Sequence, residues 1–293
     1  MGTRAWLNVA LLGGVAVLAV VWLLSPGIDE PQQASLTDVD ITALAELRIE
    51  APGQSPVELR RVGAVWHLAE PVASVADEQQ VARVMALFTT PSAQHYPLAG
   101  RDLASFGLDA PNARLRGGGV ELAFGKLDPL NYRRYVRTGD TLHLIQYADI
   151  SMLTAGWPLF VDTRLVASGQ NIVALSVPGV GALRRTAEGW QIAGAESFTA
   201  DEMAALVEAW REVRAVAVER LSETQGSRFV VIEYAGEAVP LRLSVISDED
   251  GLVLGQPDLG VEYHFTAAQA GRLLGRGEVA EDDGHGHGHA VPH

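Results

Sequence analysis

The chain has 293 residues, with 36 acidic side chains against 22 basic ones and a net charge of -14. This balance argues against a protein that binds nucleic acid or anionic lipid headgroups, because both contacts require basic patches. The lack of cysteine excludes disulfide bonds, thiolate nucleophiles and cysteine-ligated metal centres.

An uncharged apolar segment occupies residues 5–24. A helix of this length spans about 30 Å, the thickness of a hydrocarbon core. Trp6 and Trp22 lie near its ends, where indole rings prefer the membrane interface. The segment exceeds the apolar core of a signal peptide and lacks a small-x-small cleavage site, so a cleaved leader is the weaker alternative. We predict a signal anchor in residues 1–24.

The flanks of this segment indicate its direction. Arg4 precedes it, whereas several acidic residues follow it before the next basic residue, Arg48. Basic flanks stay on the cytoplasmic side. We therefore expect a single-pass protein of the inner membrane, with a cytoplasmic amino terminus and its bulk in the periplasm, joined to the anchor by a linker at residues 25–40.

The body contains an internal repeat. Leu-Arg-Arg at 59–61 recurs at 183–185, Trp66 recurs as Trp190, and Ala-Asp-Glu at 76–78 recurs at 200–202, all at an offset of 124 positions. We therefore predict two repeats, at residues 41–168 and 169–277, followed by an acidic and histidine-rich disordered tail at 278–293.

Each repeat reads as strands, a helix, more strands and a second helix. In the first repeat the pattern predicts strands at 44–50, 120–124, 133–137 and 141–145 and a short helix at 149–154. In the second it predicts strands at 172–177, 229–234, 239–245, 251–254 and 261–265 and a helix at 267–274. The triplet Gly117-Gly118-Gly119 is typical of a hairpin turn.

Helix starts are also marked in the sequence. Thr199 with Glu202, and Thr266 with Gln269, fit capping boxes, and Ser74 or Val75 stands at the equivalent position in the first repeat. Strands joined by short connections and broken by single helices favour antiparallel sheets with the helices packed on one face. The predicted fold class is α+β: a duplicated unit of this kind behind one transmembrane helix.

A series of residues in the first repeat resembles a known family. The residues are Trp66, Ala76-Asp77, Phe106-Gly107-Leu108, Pro111, Phe124-Gly125, Tyr135-Val136-Arg137 and the stretch 160–164, which ends at Arg164. In their order and spacing, residues 47–166 resemble the domain of unknown function 4340 family. That resemblance implies a membrane-tethered extracytoplasmic accessory protein, associated with ABC transporters of the gliding-motility auxiliary type, and it brings no catalytic residues.

The same motif residues also have a structural explanation. Gly107 suits a positive φ at a turn, with Leu108 buried and Pro111 closing the loop. Gly125 suits the end of a strand. A structural role for the motif is therefore the simpler interpretation.

The sequence contains few patterns typical of catalysis. The four histidines of the body, His67, His95, His143 and His264, lie in no H-E-x-x-H or similar pattern, and the chain has no nucleophile elbow and no phosphate-binding glycine loop. We predict neither an enzyme nor a small-molecule substrate, although a hydrolase assembled from distant residues stays open as a third hypothesis.

The tail is the one segment whose sequence suggests a chemical role, which is metal binding. His285, His287 and His289 alternate with glycine, His293 ends the chain, and acidic residues precede them. Imidazoles on a flexible strand can bind Zn²⁺, Ni²⁺ or Cu²⁺, at an entropic cost for ordering the ligands. An incidental disordered tail is the alternative, and no other cofactor is expected.

The leading functional hypothesis is a non-enzymatic accessory or scaffold subunit of an envelope complex, with an integral-membrane protein as its partner. The alternative is a metal-binding or metal-delivery protein that uses the tail.

Overall fold

The computed structural model describes residues 13–14, 35–146, 149–167, 169–193, 198–222 and 226–276. The predicted anchor at 5–24, apart from two glycines, lies outside the described residues, and so does the tail with His285, His287, His289 and His293. Within these ranges, no helix is both long enough and apolar enough to span a bilayer.

The first half of the body forms an antiparallel sheet of nine strands, here called sheet I. Its strands lie in the order β4-β3-β2-β1-β6-β7-β8-β9-β5. Their bounds are β1 Glu46–Glu50, β2 Val57–Val62, β3 Val65–Glu70, β4 Ser74–Val75, β5 Ser92–Pro97, β6 Ala113–Gly117, β7 Val120–Leu127, β8 Arg134–Thr138 and β9 Thr141–Ile145.

The second half forms sheet II, an antiparallel sheet of eight strands in the order β12-β11-β10-β14-β15-β16-β17-β13. Their bounds are β10 Ile172–Val177, β11 Gly181–Thr186, β12 Gly189–Ala193, β13 Ala217–Arg220, β14 Arg228–Tyr234, β15 Leu241–Ser247, β16 Leu252–Gln256 and β17 Val261–Phe265.

The two sheets have the same path. Each begins with a three-stranded meander, passes through a helix, places one strand at the far edge, and returns as a four-stranded meander. Only the two-residue strand β4 has no counterpart in sheet II among the described residues. The predicted antiparallel α+β class is confirmed.

Four α-helices accompany the sheets: α1 Glu78–Ala86, α2 Ser151–Thr154, α3 Ala200–Glu212 and α4 Ala267–Leu273. Both predicted capping boxes are present, at Thr199 with Glu202 and at Thr266 with Gln269. The predicted start of α1 is wrong, because Ser74–Val75 form β4 and Asp77 caps the helix by accepting from the backbone N–H groups of Gln79 and Gln80.

One hydrophobic core joins both halves. The helices bury apolar side chains at helical spacing: Val81 and Val84 on α1, and Met203, Leu206, Val207 and Trp210 on α3. The indole N–H of Trp210 donates to the carbonyl of Leu273 over 2.9 Å, which ties α3 to α4. Core side chains of both sheets belong to the same cluster, so the halves pack as one body.

Candidate functional site

A short extended segment joins the two sheets along their boundary. Residues 161–164, here called the seam segment, run between the end of β4 and the residues that follow α3. On one side the N–H of Asp162 donates to the carbonyl of Val75 over 3.0 Å. On the other side the carbonyl of Thr163 accepts from the N–H of Ala215 over 2.9 Å. The seam segment therefore holds both sheets by backbone hydrogen bonds.

Side chains alternate along the seam segment, as they must in an extended chain. Asp162 and Arg164 line a cleft on one side, and Thr163 lines a second cleft on the other. The first cleft, of about 320 Å³, is the seam cleft. Its walls come from both halves: Ser74 and Val75 from sheet I, and Tyr234, Leu241, Gln256 and Tyr263 from sheet II.

A short ion pair lines the seam cleft. The guanidinium of Arg164 approaches Asp162 to 2.7 Å, and the backbone N–H of Arg164 also donates to this carboxylate. The hydrogen bond to Asp162 raises the pKa of Arg164 above its ordinary value, and the burial of the guanidinium opposes this effect. The pair is mostly buried, and both of its side chains line the cleft.

Two tyrosines of sheet II reach the seam cleft from its core side. The hydroxyl of Tyr263 lies 3.2 Å from Oε1 of Gln256. The hydroxyl of Tyr234 has no hydrogen-bond partner among the residues that the structure describes. Burial raises the pKa of both tyrosines, with a smaller contribution from Glu237 at Tyr234 and from Asp162 at Tyr263. Both side chains are therefore neutral hydroxyls at physiological pH.

The rim of the seam cleft is acidic and apolar. Glu237 accepts a hydrogen bond from the amide of Gln170 over 2.7 Å, and Asp258 is exposed. Neither carboxylate has an ion-pair partner in the part of the chain that the structure covers. Val239 stands beside them with 76% of its surface exposed. The cleft thus presents negative charge and apolar surface at its rim.

Most of the family-motif residues lie elsewhere, on the outer face of sheet I. Leu108 packs with Ala123 and Leu142, and the rings of Phe106 and Tyr135 meet edge to face at 5.0 Å. Gly107 ends a 3-10 helix with a φ of 66°.

The closest backbone approach in this outer cluster is between Gly125 and Phe106. A Cβ on Gly125 would lie 2.3 Å from the carbonyl oxygen of Phe106, so the backbone approach requires glycine. The carbonyl of Gly125 accepts from the guanidinium of Arg134. Close packing of a covering loop on the sheet thus accounts for the position of these residues.

The remaining motif residues are dispersed. Trp66 is buried in the core, Asp77 caps α1, and Pro111 is buried beside β6. Arg137 pairs with Glu121 on the outer face of sheet I, and Arg164 lies at the seam cleft. The structure therefore brings together Phe106, Gly107, Leu108, Gly125 and Tyr135, and separates the others from them.

The far edge of sheet II gathers three groups that can ligate a metal. Glu219 lies on β13 opposite Glu262 on β17, and His264 is two residues further on. Nε2 of His264 is 3.2 Å from Glu262 and 4.0 Å from Glu219. The ligand atoms of all three lie within 4.8 Å of one another. The sequence analysis did not predict this cluster, because it placed His264 in no metal-binding pattern. The spacing of Glu262 and His264, which puts both side chains on the same face of one strand, was the available signal.

A second histidine is buried at the corresponding edge of sheet I. Nδ1 of His143 lies 3.0 Å from the hydroxyl of Ser92, and that hydroxyl is also within hydrogen-bonding distance of the carbonyl of Gln94. The single hydrogen of the Ser92 hydroxyl can go to the carbonyl of Gln94 or to Nδ1 of His143, and the tautomer of the imidazole decides between them. Burial, with a contribution from His95, lowers the pKa of His143.

Sequence reasoning missed the polar groups of the seam cleft. Asp162 falls inside the motif stretch 160–164, but nothing local shows that it faces sheet II. Tyr234 ends a strand whose alternate residues Val230 and Ile232 are buried, so the strand period could have placed its hydroxyl at the rim of the core.

Taken together, the fold and the seam cleft define a two-sheet α+β protein with a polar cleft between its halves. A family model described as "Domain of unknown function (DUF4340)" matches residues 66–244. This match covers more than half of the chain, so the chain belongs to that family. The match extends beyond the predicted 47–166 into sheet II and ends on β15. Neither a curated protein nor a solved structure matches the chain.

Proposed function

We propose that this protein is a non-enzymatic accessory subunit of an envelope complex, tethered to the inner membrane by residues 5–24 and bound there to an integral-membrane protein near an ABC transporter. The observation that carries the proposal is the seam cleft, which lies between the two halves and has an acidic and apolar rim. Such a surface suits binding, because its walls come from both halves, and among the described residues that line it none is arranged as a nucleophile with its base.

The architecture supports a binding role in a second way. We infer that the two sheets arose by duplication, given their common strand order and the sequence matches at an offset of 124 positions. A duplicated body creates a boundary between its halves, and the seam cleft lies on that boundary. The partner would thus meet both halves at once.

The tether limits where the body can work. Leu36 is buried on the body and its N–H donates to the carbonyl of Thr90, so only residues 25–34 of the predicted linker are left as a tether, which would span about 3.5 nm when fully extended. A body held this close to the bilayer suits a partner embedded in the same membrane better than a freely diffusing substrate.

Co-purification tests the proposal. The full chain, tagged at its amino terminus, is extracted in several mild detergents, and its partners are compared with those of a chain whose residues 5–24 are replaced by an unrelated single-span helix. We expect an integral-membrane protein to be recovered with both chains, because the body makes the contact. Recovery of a lone monomer in every detergent would contradict the proposal.

Metal binding is the second candidate function, and the cluster of Glu219, Glu262 and His264 favours it. Calorimetric titration with Zn²⁺ compares the full chain, a chain without residues 284–293, and His264→Gln. Uptake that disappears with the tail supports His285, His287, His289 and His293 as ligands, whereas uptake that disappears in His264→Gln assigns it to the edge of sheet II. No uptake by the full chain would rule out both sites.

A further inference from the structure

The connection between β7 and β8 exposes large apolar side chains. This connection, residues 128–133, is here called the tip loop. Leu130 is 84% exposed and Tyr132 is 70% exposed, which makes them the most exposed large aliphatic and the most exposed aromatic side chain of the described residues. Pro129 beside them is also exposed. Single apolar residues are ordinary on a protein surface, whereas three within four positions of one loop indicate a contact surface.

Hydrogen bonds hold the tip loop in one shape. The N–H of Asp128 donates to the carbonyl of Arg133 over 2.7 Å, and the N–H of Tyr132 donates to the carbonyl of Asp128 over 2.9 Å. The buried carboxylate of Asp128 also accepts from the side-chain amide of Asn131 over 3.1 Å. The loop keeps Tyr132 at a φ of 52°, which is rare for a bulky residue. Backbone conformations of this kind, held by the bonds around them, are typical of functional positions.

The tip loop lies at the end of sheet I where the chain enters the body. Ser35, the first residue after the predicted tether, forms a bridge to Pro91, which directly precedes β5. From there one row of paired residues crosses four neighbouring strands, through Ser92, Ile145, Arg134 and Leu127. The last two residues of this row flank the tip loop. Because neighbouring strands are about 4.8 Å apart, the tip loop begins about 10–15 Å from the point of entry.

This position brings the tip loop close to the bilayer. The tether of residues 25–34 reaches about 3.5 nm at most from the predicted anchor, and the tip loop shares the end of the sheet at which that tether arrives. Tyrosine is enriched at membrane interfaces, where its ring is in apolar surroundings and its hydroxyl stays hydrated. The net charge of -14 gives no general attraction to anionic headgroups, so an apolar contact is favoured over an electrostatic one.

We propose that the tip loop is an interfacial anchor, in which Leu130 and Tyr132 insert between the headgroups of the periplasmic leaflet and hold this end of sheet I against the bilayer. The occupant of this surface is lipid. The inference rests on the proposed function in taking residues 5–24 as the membrane tether, and it adds which end of the body faces the membrane. The opposite end, with the exposed Val62 at the β2–β3 hairpin, then points away from the bilayer.

The depth of a probe in vesicles tests the proposal. Because the chain has no cysteine, one introduced cysteine carries one fluorophore. The full chain is reconstituted in phosphatidylcholine vesicles with the fluorophore at Pro129→Cys or, at the opposite end of sheet I, at Val62→Cys. Quenching by nitroxide-labelled phosphatidylcholine is then measured. We expect strong quenching at position 129 and little at position 62.

Variants of the chain labelled at position 129 show which side chains make the contact. Leu130→Ser combined with Tyr132→Asn removes both apolar groups, and asparagine tolerates the backbone conformation of position 132. The ratio of quenched to unquenched probe should fall about tenfold or more, and about three- to tenfold in Leu130→Ser alone. Tyr132→Trp keeps an interfacial ring and should retain the quenching. Val62→Ser is the matched control, since Val62 is 66% exposed, and should change nothing.

The inference would be overturned by equal quenching at positions 62 and 129, or by full quenching in both Leu130→Ser and the double variant. A probe at position 129 that is shielded from aqueous iodide but not quenched by the lipid would also overturn it, and would assign the tip loop to a protein partner.

Two further measurements separate this inference from the proposed function. Alkaline carbonate strips proteins that are not integral to the vesicles. A chain that it removes would overturn the tether and this inference with it, whereas a retained chain without quenching at position 129 overturns the tip contact alone. If quenching occurs but no integral-membrane partner co-purifies, the bilayer contact stands and the accessory role fails.

Discussion

Replacement of Tyr234 by phenylalanine should stabilise the free protein, although this substitution normally removes a favourable group. The ring is buried and would keep its apolar contacts, whereas the hydroxyl pays its desolvation cost without a hydrogen bond. An unsatisfied buried polar group costs about 1–3 kcal/mol. The small cavity left by the missing oxygen atom lowers stability and offsets part of this gain. We therefore expect the free energy of unfolding to rise by about 1 kcal/mol, or the Tm by about 2–4 °C.

Tyr263→Phe is the matched control, because it removes the same atom from a neighbouring tyrosine that has a partner. Loss of its hydrogen bond to Gln256 should lower the free energy of unfolding by about 0.5–1.5 kcal/mol. Urea unfolding of the full chain in detergent, followed by circular dichroism, compares the midpoints of the two variants at a common slope. The two substitutions should thus change stability in opposite directions.

A Tyr234→Phe variant that loses about 1 kcal/mol would refute this reasoning, since the hydroxyl would then have a partner in the free protein. Glu237 is the nearest candidate, because its carboxylate contributes to the raised pKa of Tyr234. The same substitution in a Glu237→Ala background identifies it: a loss that disappears in that background assigns the hydrogen bond to Glu237.

Three further substitutions test the packing and the charges. Trp210→Phe should lower the free energy of unfolding by about 2 kcal/mol, because it removes the hydrogen bond to Leu273 and creates a small void. An unchanged urea midpoint would contradict the link between α3 and α4. Gly125→Ala should cost about 1–3 kcal/mol, because its Cβ would meet the Phe106 carbonyl, and wild-type thermal stability would refute that contact. Asp248 is held by two arginines that lower its pKa to about 2, so its contribution is complete above pH 3.8 and is lost as pH falls toward 2. Acid unfolding of Asp248→Asn should therefore depend less on pH in this range, and an unaltered profile would count against the pairing.

Several elements of the fold could be predicted because their signals are local. The two helix starts with Thr199 and Thr266 depend on hydrogen bonds across three residues, and both capping boxes are present. The glycine hairpin between β6 and β7 is also local, since Gly118 and Gly119 both take a positive φ that suits glycine. The strand β9 was predicted at its observed bounds for a similar reason, because the turn residues Gly139 and Asp140 directly precede it.

The edge strands were missed because their sequences carry no such signal. β5 has one buried side chain in six, and β13 has none in four. These strands exist because β9 and β17 offer free edges to pair with, and those edges come from segments about 40–50 residues later in the chain. Neither β5 nor β13 has a local sequence periodicity that would reveal this pairing.

The sequence by itself determined the α+β class, the repeated order of strands and helices, and the family, because periodicity, turn chemistry and motif spacing are all properties of short segments. Only the tertiary structure decided that the seam segment joins two sheets of the same path, that Tyr234 is left without a partner at the resulting cleft, and that Glu219 meets Glu262 and His264. Each of these depends on which distant segments pack together, and that choice follows from burial of the whole core and not from the residues adjacent in sequence.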